Sequence, residues 1–319
     1  PSGAWCASFA AVGAAIRTEG LTKRYRSGDV VALDSLDLEV HEGEAFGFIG
    51  PNGAGKTTAI RLLMGMLHPT AGRGSVLGLD CQRQGVELRR RVGYLPGDLR
   101  LDQRLTARQS LTWFARLRGE RDMGRAWELA ERFDLPLDRP ARELSKGNRQ
   151  KVGLVQAFQH RPEVVILDEP TSGLDPILQQ RFQELVVEMR DGGGTLFISS
   201  HVLSELEQTA DRVAMLREGR LLAVENVEEL RGAAPHRMTI RFAAPVPPGL
   251  FDGIEGVSGV EVDGSVVRLL ARAPMDAAVK AAARHEIVDL HSTEPDLEEL
   301  FLGMYGDAEN GEKAGGEGA

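Results

Sequence analysis

Cysteine is almost absent from this chain. Two among 319 residues, Cys6 and Cys81, exclude a disulfide scaffold and a zinc site built from cysteines, and they fit a reducing compartment. Long hydrophobic runs are missing as well. The most apolar stretch, Ala4 to Ile16, falls short of the roughly 20 residues a spanning helix needs. It also lacks the basic start of a secretory signal. Residues 1–14 are therefore expected to be a loose extension, and any service to a membrane has to come through docking to another chain. Positive charge is in the minority: 38 Lys and Arg against 47 Asp and Glu give a net charge of −9. Such a chain is a poor candidate for general binding to a phosphate backbone, which needs a basic face. What is plentiful is apolar surface. Hydrophobic residues make up 42%, enough for a sizeable core, and the length suggests about two domains.

The first part alternates strand-like and helix-like patterns. Val30–Leu33 and Leu36–Val40 read as strand segments. Ala45–Ile49 is a continuous apolar run ending at a glycine, as in a buried parallel strand. Ile60, Leu63, Met64 and Leu67 then lie on one helical face, with Pro69 beyond the helix end. From about 100 to 160 the pattern is only helical: Leu111, Phe114 and Ala115 mark one helix, and Trp127, Ala130 and Phe133 a second. Val164–Leu167 and Leu196–Ile198 resume as buried strands around a helix over Ile177–Met189. Strand, helix and strand in that order argue an α/β fold with a parallel sheet and a helical insertion.

Composition shifts near Gly232–Pro235. Beyond it, Thr239–Phe242 alternates, and Val260–Val262 and Val266–Val267 flank Asp263–Gly264, a hairpin signal. Met275–Arg284 reads as a helix and Ile287–Leu290 as a strand. Leu297, Leu300, Phe301 and Met304 read as an amphipathic helix that either closes this unit's core or binds a partner. The domain expectation is thus a main domain over 15–231, a small α+β unit of order βαββαβ over 236–305, and a disordered acidic tail over 306–319.

The strongest motif is Gly50-Pro51-Asn52-Gly53-Ala54-Gly55-Lys56-Thr57, followed by Thr58. It matches G-x-x-x-x-G-K-[ST] between an apolar strand and an amphipathic helix, the context a phosphate-binding loop requires. The glycines let backbone N–H groups point inward at an anion, and the helix N-terminus adds partial positive charge. Lys56 reaches β- and γ-phosphates, and the Thr57 hydroxyl is placed to hold Mg²⁺. Asp168 and Glu169 end the Val164–Leu167 run, where ligand sites of open α/β sheets lie. Asp168 suits Mg²⁺ and its water shell, and Glu169 suits a general base for an attacking water.

Further elements narrow the class. Tyr25 lies upstream of the loop. Leu144-Ser145-Lys146-Gly147-Asn148-Arg149-Gln150 precedes the acid pair, Ser172-Gly173-Leu174-Asp175 follows it, and Ser199-Ser200-His201 follows the next strand. In this order, over about 15–225, the set resembles the nucleotide-binding subunits of ATP-binding-cassette (ABC) transporters. The resemblance implies a P-loop NTPase fold and hydrolysis of ATP with Mg²⁺. It implies that Tyr25 stacks on adenine, that Ser145 and Gly147 of a signature turn grip a γ-phosphate, that Asp175 links paired sites and that His201 contacts the γ-phosphate. Ser145 equally suits a helix N-cap, and the two readings are compatible. The implied working unit is a pair of cassettes, a second copy of the chain or a homologue, sandwiching two ATP at the cytoplasmic face of a membrane.

Two departures from the family stand out. Gly97-Asp98 replaces the usual Gln, and the signature carries Lys146 where a glycine is usual. The single cassette with a short α+β appendage, together with Glu298–Leu302, resembles the ATPase subunits of drug and antibiotic exporters, which implies a separate multi-span permease. That partner would dock between the 97–104 segment and the helical insertion. The competing class is a soluble cassette ATPase acting on ribosomes or nucleic acid. Its one-chain double cassette and its long coiled coil are both absent from this sequence. A regulatory GTPase lacks support because no Asn-Lys-x-Asp motif occurs.

Overall fold

The computed structural model describes residues 13–25, 30–233 and 235–293. The expectations for residues 1–12, Leu297–Met304 and the 306–319 tail lie outside these residues. The chain divides into two compact units that meet at Val224 and Glu225.

The first unit opens with β1 (Ala14–Arg24) and β2 (Val31–His41), an antiparallel pair. The two strand segments expected at 30–40 form this one strand. Asp34 and Ser35 together oppose Thr22, a bulge with Ser35 at φ +50° and its N–H donating to the Thr22 hydroxyl. The bulge is what interrupts the apolar alternation.

Next come β3 (Ala45–Ile49) and α1 (Lys56–Leu63). This helix stops earlier than the apolar spacing suggests, because Gly65 at φ +62° turns the chain away. Then β4 (Ala71–Val76) and β5 (Leu79–Asp80) complete a four-stranded sheet of order β2-β1-β4-β5. After α2 (Gly85–Arg91) and β6 (Val92–Leu95) the chain turns helical. Here lie α3 (Ala107–Arg118), α4 (Gly124–Arg132) and α5 (Lys146–Phe158). A reciprocal capping box of Thr106 and Gln109 starts α3.

The chain then adds β7 (Val164–Asp168), α6 (Pro176–Asp191), β8 (Thr195–Ser200), α7 (Leu203–Glu207), β9 (Arg212–Arg217) and β10 (Arg220–Asn226). A second sheet results, of order β10-β9-β3-β8-β7-β6, in which β9, β3, β8, β7 and β6 run parallel. Strands β3, β7 and β8 are buried throughout, which is why they read as apolar runs without alternation. Phe197 packs against Phe46 and Phe48 at centroid distances of 5.9 and 5.1 Å and centres this core.

The second unit starts with α8 (Val227–Ala233). It continues with β11 (His236–Phe242), β12 (Val257–Asp263), β13 (Val266–Ala271), α9 (Asp276–Ala282) and β14 (Ile287–Thr293). Its antiparallel sheet has the order β12-β13-β11-β14 and buries Ile240, Val267 and Leu269. The described order from β11 is therefore βββαβ and corrects the expected βαββαβ. No helix forms between β11 and β12, because Pro245, Pro247 and Pro248 remove donors there. The predicted hairpin is present with its turn one residue further on. Asp263 pairs with Val266, leaving Gly264 at φ +60° and Ser265 as the loop.

Candidate functional site

A cavity of about 490 Å³ lies beyond the carboxyl ends of the parallel strands and is lined by residues 51–58, Asp168, Glu169 and His201. Register explains the convergence. Ile49 pairs with Ser200 and Asp168 with Ser199, so β3, β7 and β8 end level and their following residues face one space.

The loop after β3 is shaped by backbone bonds. Gly50 N–H donates to Ser200 O at 3.3 Å, and Ala54 N–H to Pro51 O at 3.1 Å. Gly55 has φ +110°, and a Cβ there would strike the Ala32 carbonyl, so glycine is required. It leads into α1, whose N-terminus has no side-chain cap and no acid in its first turn. The residues of that first turn line the cavity, and the N–H groups of a helix's first turn have no partner within the helix, an arrangement suited to an anion.

Lys56 is only 6% exposed. Its Nζ donates to Gly50 O and Pro51 O and lies 3.5 Å from Glu169 Oε1. The other Glu169 oxygen, Oε2, is 2.6 Å from His201 Nδ1. Beside this chain runs another. Asp168, 1% exposed, accepts from Thr57 Oγ1 at 2.8 Å and from Ser199 Oγ at 2.7 Å. A buried carboxylate is tolerated when its oxygens are hydrogen-bonded in this way. The Tyr94 hydroxyl is pushed up to about 12, first by burial and then by the charge of Asp168.

The cavity gathers Pro51, Asn52, Gly53, Ala54, Gly55, Lys56, Thr57, Thr58, Asp168, Glu169 and His201 from the sequence expectations. Gly50 lies just behind it as an acceptor for Lys56. Tyr25 is 38% exposed with the Lys23 ammonium 5.5 Å from its ring centre, and it is not part of the lining. Ser145, Gly147 and Asp175 also lie outside it. Ser145 caps α5, accepting from Asn148 N–H at 3.2 Å, and Asp175 caps α6, accepting from Leu178 N–H at 3.0 Å. Sequence reasoning missed Ala32 and Arg61 in the lining and the Ser199 bond to Asp168, and it gave Ser172, part of a quoted run, no role of its own. Ser199 stood in a run already singled out, but its partner lies across a strand pairing that no local spacing reveals. Gly97 and Asp98 reach the cavity, and a Cβ on Gly97 would stand 3.1 Å from Asp168 Oδ2.

A second cavity, of about 520 Å³, is lined by Pro96, Leu99 and Arg100 of the same segment and by Phe114 and Leu117 of α3. Val86, Arg89 and Arg90 of α2 also line it. Exposed Met66 and Leu117 belong to its lining.

Fold and cavity together define a P-loop nucleotide-hydrolysing domain. The ABC transporter family profile matches residues 33–172. The daunorubicin resistance ATP-binding protein DrrA3 of Streptomyces coeruleorubidus is 37% identical over 308 residues, covering 92% of this chain and 96% of that protein. The bacitracin transport ATP-binding protein BcrA of Bacillus licheniformis is 38% identical over 65% of this chain and 68% of its own length. A solved ATP-binding subunit of an ABC transporter superposes with a TM-score of 0.63 at 30% identity, covering 68% of this chain and 91% of that one. The chain belongs to the ABC transporter family and is one of its ATP-binding, ATP-hydrolysing subunits. Such subunits work in pairs and with membrane permeases. Among the described residues of this chain no helix is long and apolar enough to cross a membrane.

Proposed function

We propose that this subunit powers export of a drug, antibiotic or similar small compound through a separate multi-span permease. It works at the cytoplasmic face of the membrane, paired with a second copy of itself or a homologous cassette. The observation that carries the reading is the pair of parallel bond chains in one cavity: Lys56–Glu169–His201 and Thr57–Asp168–Ser199. Export rather than another task is supported by the drug-resistance relative that matches along almost the whole chain. That relative also disfavours a soluble ATPase acting on ribosomes or nucleic acid, as does the acidic balance.

In this reading the N–H groups of Gly53 and of residues 55–58, with the Lys56 ammonium, cradle the phosphates of ATP, and Tyr25 stacks on the adenine. Glu169 takes the proton of the water that attacks the γ-phosphorus, leaving ADP and inorganic phosphate. His201 holds the γ-phosphate. Ser145 and Gly147 grip the γ-phosphate of the facing cassette, and Asp175 joins the two sites. Thr57 and Asp168 offer hard oxygen donors 2.8 Å apart and are the residues that would hold Mg²⁺. When bound, that ion neutralises charge on the phosphate oxygens. The cavity at 96–100 would seat the permease.

The test is Glu169→Gln. Turnover is expected to fall by roughly 10²–10⁴-fold while ATP is retained and two cassettes stay associated. Ordinary turnover by the variant refutes the base assignment. Isolation of the tagged chain from membranes should bring a multi-span protein with it; recovery with ribosomes would refute export.

A further inference from the structure

The first turns of α5 are fastened to the turn that carries Glu169. Gln150 is 6% exposed, and its side-chain amide donates to two successive carbonyls, those of Glu169 and Pro170, each at 3.0 Å. One turn earlier, Lys146 Nζ donates to the Ser172 hydroxyl at 3.1 Å. Between them, Gly147 runs so close to the facing turn that a Cβ would stand 2.5 Å from Gly173 O. Three hydrogen bonds and one close backbone approach thus join residues 146–150 to residues 169–173.

What they hold is strained. Glu169 has φ +54°, the left-handed region that side chains avoid. Its N–H is held from the opposite side by Ser199, at 3.2 Å to the carbonyl and 3.3 Å to the hydroxyl. Ser199 fixes the nitrogen of Glu169 and Gln150 fixes its carbonyl. The backbone of Glu169 is therefore braced by α5 as well as by β8, while its carboxylate rests against Lys56 and His201.

We infer that Gln150 and Lys146 are positioning residues for Glu169, tying the turn that faces a second cassette to the turn bearing this cassette's own carboxylate. The inference rests on the proposed function, in which Ser145 and Gly147 grip the nucleotide of that second cassette. ATP held by the N-terminus of α5 then bears on the helix that braces Glu169. Each site is aligned for cleavage only when the other is filled. Lys146 does not need to touch a phosphate for this. Its exposed bond to Ser172 contributes modestly, and the buried amide of Gln150 contributes most.

The experiment measures steady-state hydrolysis against ATP concentration for the full-length chain and its variants. Wild type should show a Hill coefficient near 2, the number of paired sites, and a value of one overturns the inference at once. Gln150→Leu should lower kcat about tenfold, leave KM within about twofold and bring the coefficient to about one. Lys146→Ala lies on the surface and keeps the fold. It should lower the coefficient with a loss of about two- to threefold in kcat, and adding Ser172→Ala should cost nothing more. Affinity of the isolated Lys146→Ala chain for a non-hydrolysable ATP analogue should stay within about twofold. Additive losses in Lys146→Ala/Ser172→Ala, or an unchanged coefficient in both Gln150→Leu and Lys146→Ala, overturn the inference. So does weaker ATP-driven pairing in Lys146→Ala but not in Ser172→Ala, which would make Lys146 a direct phosphate contact. Pairing itself is read in the Glu169→Gln background. Its absence there overturns the proposed function and the inference with it, whereas intact pairing with additive losses overturns the inference alone.

Discussion

The two β-rich units solve the same burial problem and differ in where their strands end. In the first, β3, β7 and β8 run parallel and end level, so the loops that follow them converge on one space. In the second, neighbouring strands are antiparallel, and their ends alternate between the two rims. Polar groups there are spread out, as in the exposed Arg241–Asp289 pair at 3.3 Å. Strand polarity, more than composition, concentrates chemistry at one rim.

That comparison can be broken or sharpened by experiment. The largest effect is expected from Lys56→Ala, which removes the buried cation at the rim of the parallel sheet. ATP affinity should drop by at least roughly ten- to a hundredfold, measured calorimetrically. Near-normal affinity would mean that the rim is not the phosphate site. The counterpart in the antiparallel sheet is Ile240→Ala, at a fully buried position. It should destabilise the second unit by about 2–5 kcal/mol, read by scanning calorimetry, with ATP affinity of the first unit within about twofold. A matching loss of affinity would end the distinction between the units.

A smaller effect involves His160, which follows α5 in the first unit. Its Nε2 lies 2.9 Å from a guanidinium nitrogen of Arg118, which can only donate, so the ring accepts and is neutral. Burial, then the Arg118 charge, pushes its pKa down to about 3. The unfolded chain binds this proton near the ordinary value of about 6.5. The stability it contributes is therefore complete above about 6.5 and lost as pH falls toward about 3. Urea midpoints of wild type should decline with acid more steeply than those of His160→Gln. Parallel curves would show that the ring is not held neutral. The smallest effect is expected from Gly97→Gln. Permease-stimulated hydrolysis should change more than basal hydrolysis. Equal changes in both assays would deny the 96–100 segment a coupling role.

Much of the first unit was legible in residues. The loop at residues 50–57 was readable because a strand, a glycine turn and a helix start follow one another within local reach. Asp168 and Glu169 were readable because a phosphate-binding loop stands in the same sequence; alone, an acid pair after an apolar run reads as the start of a surface loop. The bulge at Asp34–Ser35 and the early stop of α1 were not, since each depends on one positive φ angle that the apolar pattern hides. The order of the second unit was misread because βαββαβ put a helix after the first strand, where no helical pattern stands and Pro245, Pro247 and Pro248 disfavour one. Tyr25 takes its role from the family resemblance alone, since it lies outside the cavity lining.

By itself the sequence determined which chemistry is present: a phosphate-cradling turn, a carboxylate pair and a signature turn, each written in contiguous residues. Tertiary structure alone decided which of these meet. Ser199 reaches Asp168 across 31 residues, and Gln150 reaches Glu169 across 19. Such contacts follow from strand register and helix placement, which are set by packing between distant segments rather than by any local preference.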